Sequence, residues 1–178
     1  MLNPFTSTLK GLVPSSGGGT STFLRADGTF ATPAGGNYRT LVTLGSDVIN
    51  NNATLNTLAD VTGLSFSVTA GVTYHFYALI PYTSAATTTG SRWTINAPAT
   101  TLLSYTSRYT LTATTQTTNF ASVVGIPAAS NATSLANNIA IIEGVITPSA
   151  NGTVIIRFAS KVASSAITAK AGATLEWW

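Results

Sequence analysis

VTYHFYALI, residues 72–80, decides how the rest of the chain is read. Val72, Tyr74, Phe76, Ala78 and Ile80 recur at every second position, the period of a strand with one buried face. A helix would space its apolar residues by three and four instead. Pro81 follows at once, and a residue without an N–H is expected to close the run. Upstream, Leu64–Thr69 (LSFSVT) reads as a strand ended by Ala70-Gly71, and Tyr38–Leu44 (YRTLVTL) as another. Leu55–Val61 fits either a strand or a short helical turn.

Downstream the same texture continues. Ser84–Gly90 (SAATTTG) reads as a loop, then Ser91–Asn96 places Trp93 and Ile95 on one side of a strand. Thr101–Leu111 and Asn119–Ile126 supply two or three more strands. Ile139–Ile146 (IAIIEGVI) is almost continuously apolar; its shortness and β-branched content favour a strand over a buried helix. Pro148–Gly152 (PSANG) turns the chain into Thr153–Phe158 (TVIIRF), and Thr174–Trp178 (TLEWW) is the last strand. About eight to ten short strands with almost no helical period predict an all-β fold, an antiparallel jelly-roll sandwich.

Before residue 37 the texture is different. Pro4, Pro14 and Pro33, with Gly17, Gly18, Gly19, Gly35 and Gly36, deny residues 1–36 a long helix or strand. The expected organisation is an extended N-terminal arm, 1–36, and a sandwich domain, 37–178.

Composition narrows the possible partners. Of 178 residues 44% are hydrophobic and only 7% charged, against about 25% in an ordinary soluble domain. A surface so poor in charge lacks a usual defence against self-association. The net charge is +3 with no run of Lys or Arg, so the footprint of a nucleic-acid binder is missing. The high pI of 9.5 reflects few charges, not a basic patch. There is no cysteine, hence neither a disulfide framework nor a thiolate metal site. MLNPFTSTLK lacks the pattern of a secretory leader, and no apolar run approaches the ~20 residues of a membrane span. Neither membrane insertion nor a cleaved leader is expected, and the Asn-x-Ser/Thr matches at Asn52, Asn131 and Asn151 read as chance.

Residues that could carry chemistry are few. The glycine triplet 17–19 is followed by Thr20-Ser21-Thr22, without the Lys and helix a phosphate loop needs. His75 is the only histidine, and its place inside a strand suggests a structural role. Asp27, Asp47, Asp60, Glu143 and Glu176 are the whole acidic inventory, and no GxSxG elbow is present. The expectation is a protein without enzymatic activity, cofactor or metal. Among the aromatic residues, Tyr82 and the SAATTTG loop are the better candidates for a sugar-stacking surface, the others for core or subunit contacts. Trp177 and Trp178 would be a liability at an exposed chain end, so they predict burial against another copy.

The arm carries a resemblance. GLVPSSGGGTSTFLRADGTFATP, residues 11–33, closely resembles a module recurrent in tailed-bacteriophage fibre and virion proteins, G-L-V-P-x-x-G-G-G-T-x-x-x-F-L-R-A-D-G-T-(W/F)-x-x-P. Phe30 stands where Trp is usual. Asp27-Gly28 suits a tight turn that folds Phe30 back on Phe23 and Leu24. SFSVTAGVTYHFYALIPY (65–82) and AGATLEWW (171–178) resemble the jelly-roll heads of such fibres, similar to tumour-necrosis-factor-like and complement-like trimer domains. The resemblance implies a homotrimer with Tyr74, Phe76, Trp177 and Trp178 at the subunit interface. It also implies a virion protein assembled in the host cytoplasm. Its arm, through Leu9, Leu12, Val13, Phe23, Leu24, Arg25, Asp27 and Phe30, would bind the major capsid protein or another virion protein. Two roles follow: a capsid decoration or cement protein or short head-fibre knob, which the short arm favours, and alternatively a tail-fibre tip recognising a host-surface glycan or protein.

Overall fold

Among the described residues the β-rich texture is realised as strands. The structure, a computed structural model, describes residues 23–24, 29–31, 39–125 and 137–178. The chain divides into two units, Met1–Tyr38 and Arg39–Trp178. In the first, β1 (Phe23–Leu24) pairs antiparallel with β2 (Phe30–Ala31), Leu24 opposite Phe30.

The second unit holds the remaining described strands: β3 (Thr40–Thr43), β4 (Val48–Asn50), β5 (Ala59–Val68), β6 (Tyr74–Ser84) and β7 (Ser91–Asn96), then β8 (Thr100–Thr110), β9 (Gln116–Ala121), β10 (Asn138–Pro148), β11 (Gly152–Ser160), β12 (Ile167–Ala169) and β13 (Thr174–Trp177). A large sheet runs β3-β13-β6-β10-β8-β9, with β12 joining β6 to β4, and a small sheet runs β5-β11-β7. All pairings are antiparallel. From β4 to β8, and again from β10 to β12, the chain alternates between the two sheets. The fold is an all-β antiparallel sandwich, and this alternation is consistent with a jelly roll.

The period-2 reading places the core. Phe76, Ala78, Ile80 and Tyr82 of β6 face Val61, Leu64, Phe66 and Val68 of β5 and Val154, Ile156 and Phe158 of β11, all buried. Two aromatic clusters join the sheets. At one end Trp93 lies 5.0 Å from both Tyr82 and Phe158, and its indole N–H donates to Ser91 Oγ at 2.9 Å. At the other end Phe66 stacks on Trp177 at 5.0 Å and meets Phe76 at 6.4 Å. Each such buried side chain stabilises the sandwich by about 1.5–3 kcal/mol.

Three boundaries differ from the sequence reading. First, β6 does not stop at Pro81. The Pro81 carbonyl accepts from Lys170 N at 2.9 Å, so this residue turns its backbone toward the interval between β13, which pairs Phe76–Leu79, and β12, which pairs Tyr82–Ser84. No ladder bond needs a proline N–H there. Second, the stretch from Leu55 onward is neither a separate strand nor a helical turn. β5 runs unbroken from Ala59 through Val68, with a bulge where its register on β11 shifts between Ile155 and Arg157. Gly63, at φ 105°, sits in that bulge, in backbone space that a side chain disfavours. Third, β9 begins at Gln116, and Ile126 of the expected Asn119–Ile126 strand lies outside the described residues.

Candidate functional site

The outer face of the large sheet is built by the same alternation that fills the core. Residues of β6 and β10 that point away from the small sheet are His75, Tyr77, Leu79 and Pro81, and Ile139, Ile141, Glu143 and Val145. A solvated face of an antiparallel sheet is ordinarily polar. Here the two central strands are largely apolar on both faces. Register assembles these side chains into rows. Leu41, Glu176, Tyr77, Glu143, Thr106 and Phe120 lie opposite one another across six strands. A second row holds Thr174, Leu79, Ile141, Arg108 and Thr118, and a third holds His75, Val145 and Ser104.

At the His75 end the face deepens into a groove of about 720 Å³. One wall is a stack standing on the sheet. The Arg39 guanidinium lies 4.5 Å from the Trp178 ring centre, and Trp178 is parallel to His75 at 5.5 Å. Backbone bonds fix that wall: His75 N donates to Trp178 O at 3.0 Å, and Trp178 N to His75 O at 3.2 Å. The opposite wall is Phe120 on β9, 84% exposed. Between them lie Tyr77, Glu143, Thr106 and Ser104, with Ser122 beside Phe120. Gly144 lets β8 and β10 approach closely beneath the floor, since a Cβ there would lie 2.7 Å from Tyr105 Cα.

The charges of this face are compensated locally. Glu143 pairs with Arg108 at 2.8 Å and Glu176 with Arg39 at 3.2 Å. Away from the face, Asp60 pairs with Arg157 at 2.6 Å. Asp47 pairs with Lys170, whose hydrogen bond holds its carboxyl below the usual carboxylate range; the Ala171 N–H, donating to Asp47 Oδ1 at 2.8 Å, acts in the same direction. All four described Asp and Glu side chains are therefore in ion pairs, and Asp27 lies outside the described residues. Among the described residues no three His, Asp or Glu side chains gather into a metal-binding group.

The residues expected at a subunit interface separate. Phe76 is only 1% exposed and has no surface to offer another copy. Trp177 points inward onto Phe66, and Tyr74 packs against the same ring at 6.0 Å while its hydroxyl accepts from Thr69 N at 3.1 Å. The inner face of the sandwich thus buries Phe76 completely, while Tyr74 and Trp177 pack against the core and stay half-buried. Only Trp178, one position further along the alternation, stands on the outer face. Tyr82 is also corrected: at 1% exposure it is a core residue whose burial raises its phenol pKa, and it cannot stack on a sugar. Of the arm residues, Phe23 and Leu24 are exposed and Phe30 is half-buried, while Leu9, Leu12, Val13 and Arg25 lie outside the described residues.

Sequence reasoning did not single out Phe120, Leu79 or Ile141, and weighed Tyr77 only among the aromatic residues assigned to core or subunit contacts. A signal for Ile141 was present: a strand buried on one face only should not read IAIIEGVI. Phe120 gave none, because only its pairing with Thr106 places it across from Tyr77.

No known protein family matches this chain, and no curated protein matches it. Among solved structures, a chain of the infectious bursal disease virus Gx strain is similar over 95% of this chain and 42% of its own length, at 10% identity and a TM-score of 0.20. The chain thus spans less than half of that structure, and a likeness of this size carries no argument.

Proposed function

We propose that the protein is a non-enzymatic structural protein of a bacteriophage virion, a trimeric capsid decoration or short head-fibre knob held by its N-terminal arm. The observation that carries self-association is the outer face of β6 and β10. Leu79, Ile139 and Ile141 continue an apolar surface outward from a sheet whose inner face is already filled, and Ile49 on β4 adds a side chain 63% exposed. A second copy is the covering that suits a surface with so few charges. The trimer contact is accordingly moved from the buried Phe76 to this face. The virion assignment rests on the arm's resemblance, GLVPSSGGGTSTFLRADGTF. The ion-paired state of the described Asp and Glu side chains supports a structural role over a hydrolytic one.

Light scattering on the purified chain tests the assembly: a mass three times 18.3 kDa is expected, and the mass of a single chain overturns it. The arm is tested with phage particles stripped of this protein. The full chain should rebind them and a chain beginning at Asn37 should not; equal rebinding removes the arm as the anchor.

A further inference from the structure

We infer that the groove between the Trp178–His75 stack and Phe120 is a binding site for a neutral, polyhydroxylated ligand, a short glycan. This goes beyond the structural role and does not depend on where in a virion the knob sits. Three observations converge on that ligand chemistry. The first is a pair of aromatic rings, one on the floor and one on a wall. Tyr77 and Phe120 occupy one cross-strand row and are separated by Glu143 and Thr106. Three strand spacings put these rings about 14 Å apart, a span that takes more than one pyranose ring lying flat on the sheet. Phe120, 84% exposed, and the half-buried Tyr77 at such a spacing offer apolar surface to the C–H faces of sugars.

The floor supplies the second observation. Ser104, Thr106 and Ser122 each offer a hydroxyl that both donates and accepts, the pattern that matches ligand hydroxyls of either sense. Glu143 is tied to Arg108 through one oxygen, and a carboxylate has acceptor capacity at the other. The third is charge. Glu143–Arg108 and Arg39–Glu176 compensate one another within the face, so its side chains supply no surplus of either sign to select an anion or a cation. The same chemistry argues against a second copy as occupant, because interface cores are depleted in Ser and Glu. The apolar rows at Leu79, Ile139 and Ile141 lie further along the sheet, so the face divides into a contact half and a groove half.

The test is an immobilised panel of neutral hexose and N-acetylhexosamine oligosaccharides together with sialylated ones, probed with the full chain. Retention on neutral members is expected, weakened about tenfold by Phe120→Ala and several-fold by Thr106→Val, which keeps the shape but loses the hydroxyl. Phe120 is so exposed that its truncation does not threaten folding. Light scattering on Phe120→Ala separates the two readings. An oligomer of unchanged mass that has lost glycan retention supports the site. Loss of the oligomer with the glycan would make the groove a contact between copies and overturn it. No retention on any neutral member, a preference for the sialylated members, or unchanged retention by Phe120→Ala overturns it as well.

Discussion

Gly144 illustrates how much one missing side chain can decide. It sits on β10 between Phe76 and Tyr105, and a Cβ there would press on the backbone of Ser104 and Tyr105, atoms that cannot rotate away. Gly144→Ala should destabilise the fold by roughly 1–3 kcal/mol, read as a lowered midpoint in urea. It should also spread β8 from β10 beneath the groove. A second residue-scale prediction concerns Tyr109, fully buried among β8, β9 and β10, where burial pushes its phenol up to about 12. The folded state holds that proton while the unfolded chain gives it up near pH 10. The contribution is therefore complete below pH 10 and lost as the pH rises through about 12. Tyr82 and Tyr105, raised by the same cause, add to it. Tyrosinate absorbance should appear together with loss of the near-ultraviolet circular dichroism signal; ionisation of all six tyrosines with tertiary structure intact would contradict this.

Between elements, the constraints are the bonds that tie one sheet to the other. Asn50 ends β4 in the large sheet, and its Nδ2 donates to Phe158 O on β11 and to Thr57 O, both at 2.9 Å. Its Oδ1 accepts from Asn52 N at 3.2 Å. A three-residue strand has little stability of its own, so this buried amide adds to the β12 ladder in holding β4 against the sandwich. Asn50→Ala leaves carbonyls without donors and should cost about 2–4 kcal/mol, with hydrogen exchange rising first in β4 and β12. Pro81 makes the opposite case. Because its nitrogen faces the interval between β12 and β13, Pro81→Ala breaks no ladder bond, and a change below about 1 kcal/mol is expected from the loosened unfolded chain alone. A larger loss would show that the ring itself packs into the outer face.

At the scale of the whole molecule, the question is what covers a sheet apolar on both sides. If copies meet through Leu79, Ile139 and Ile141, then Ile141→Asp should yield a folded chain of single-copy mass, since the side chain points away from the core. An assembly of unchanged mass would move the contact elsewhere. The Arg39–Trp178 unit has its own core, so a chain beginning at Asn37 should melt cooperatively and still assemble.

The strands and their inward faces were legible in the sequence because alternation is a local property: Phe76, Ala78 and Ile80 announce a buried face without reference to any other part of the chain. The same locality explains the breaks at PSANG and SAATTTG. What the sequence could not settle was decided by pairing between distant residues. Whether Trp177 or Trp178 turns inward depends on the register of β13 on β6, set by Glu176 opposite Tyr77. β4 and β12 are too short to show a period, and exist because each completes the other's ladder. Pro81 is tolerated only because two separate strands share one edge of β6 and leave an interval opposite it. The groove depends on tertiary structure most of all. Its walls come from β6, β9 and the end of the chain, and only the stacking of strands side by side brings a phenylalanine at 120 into one row with a tyrosine at 77.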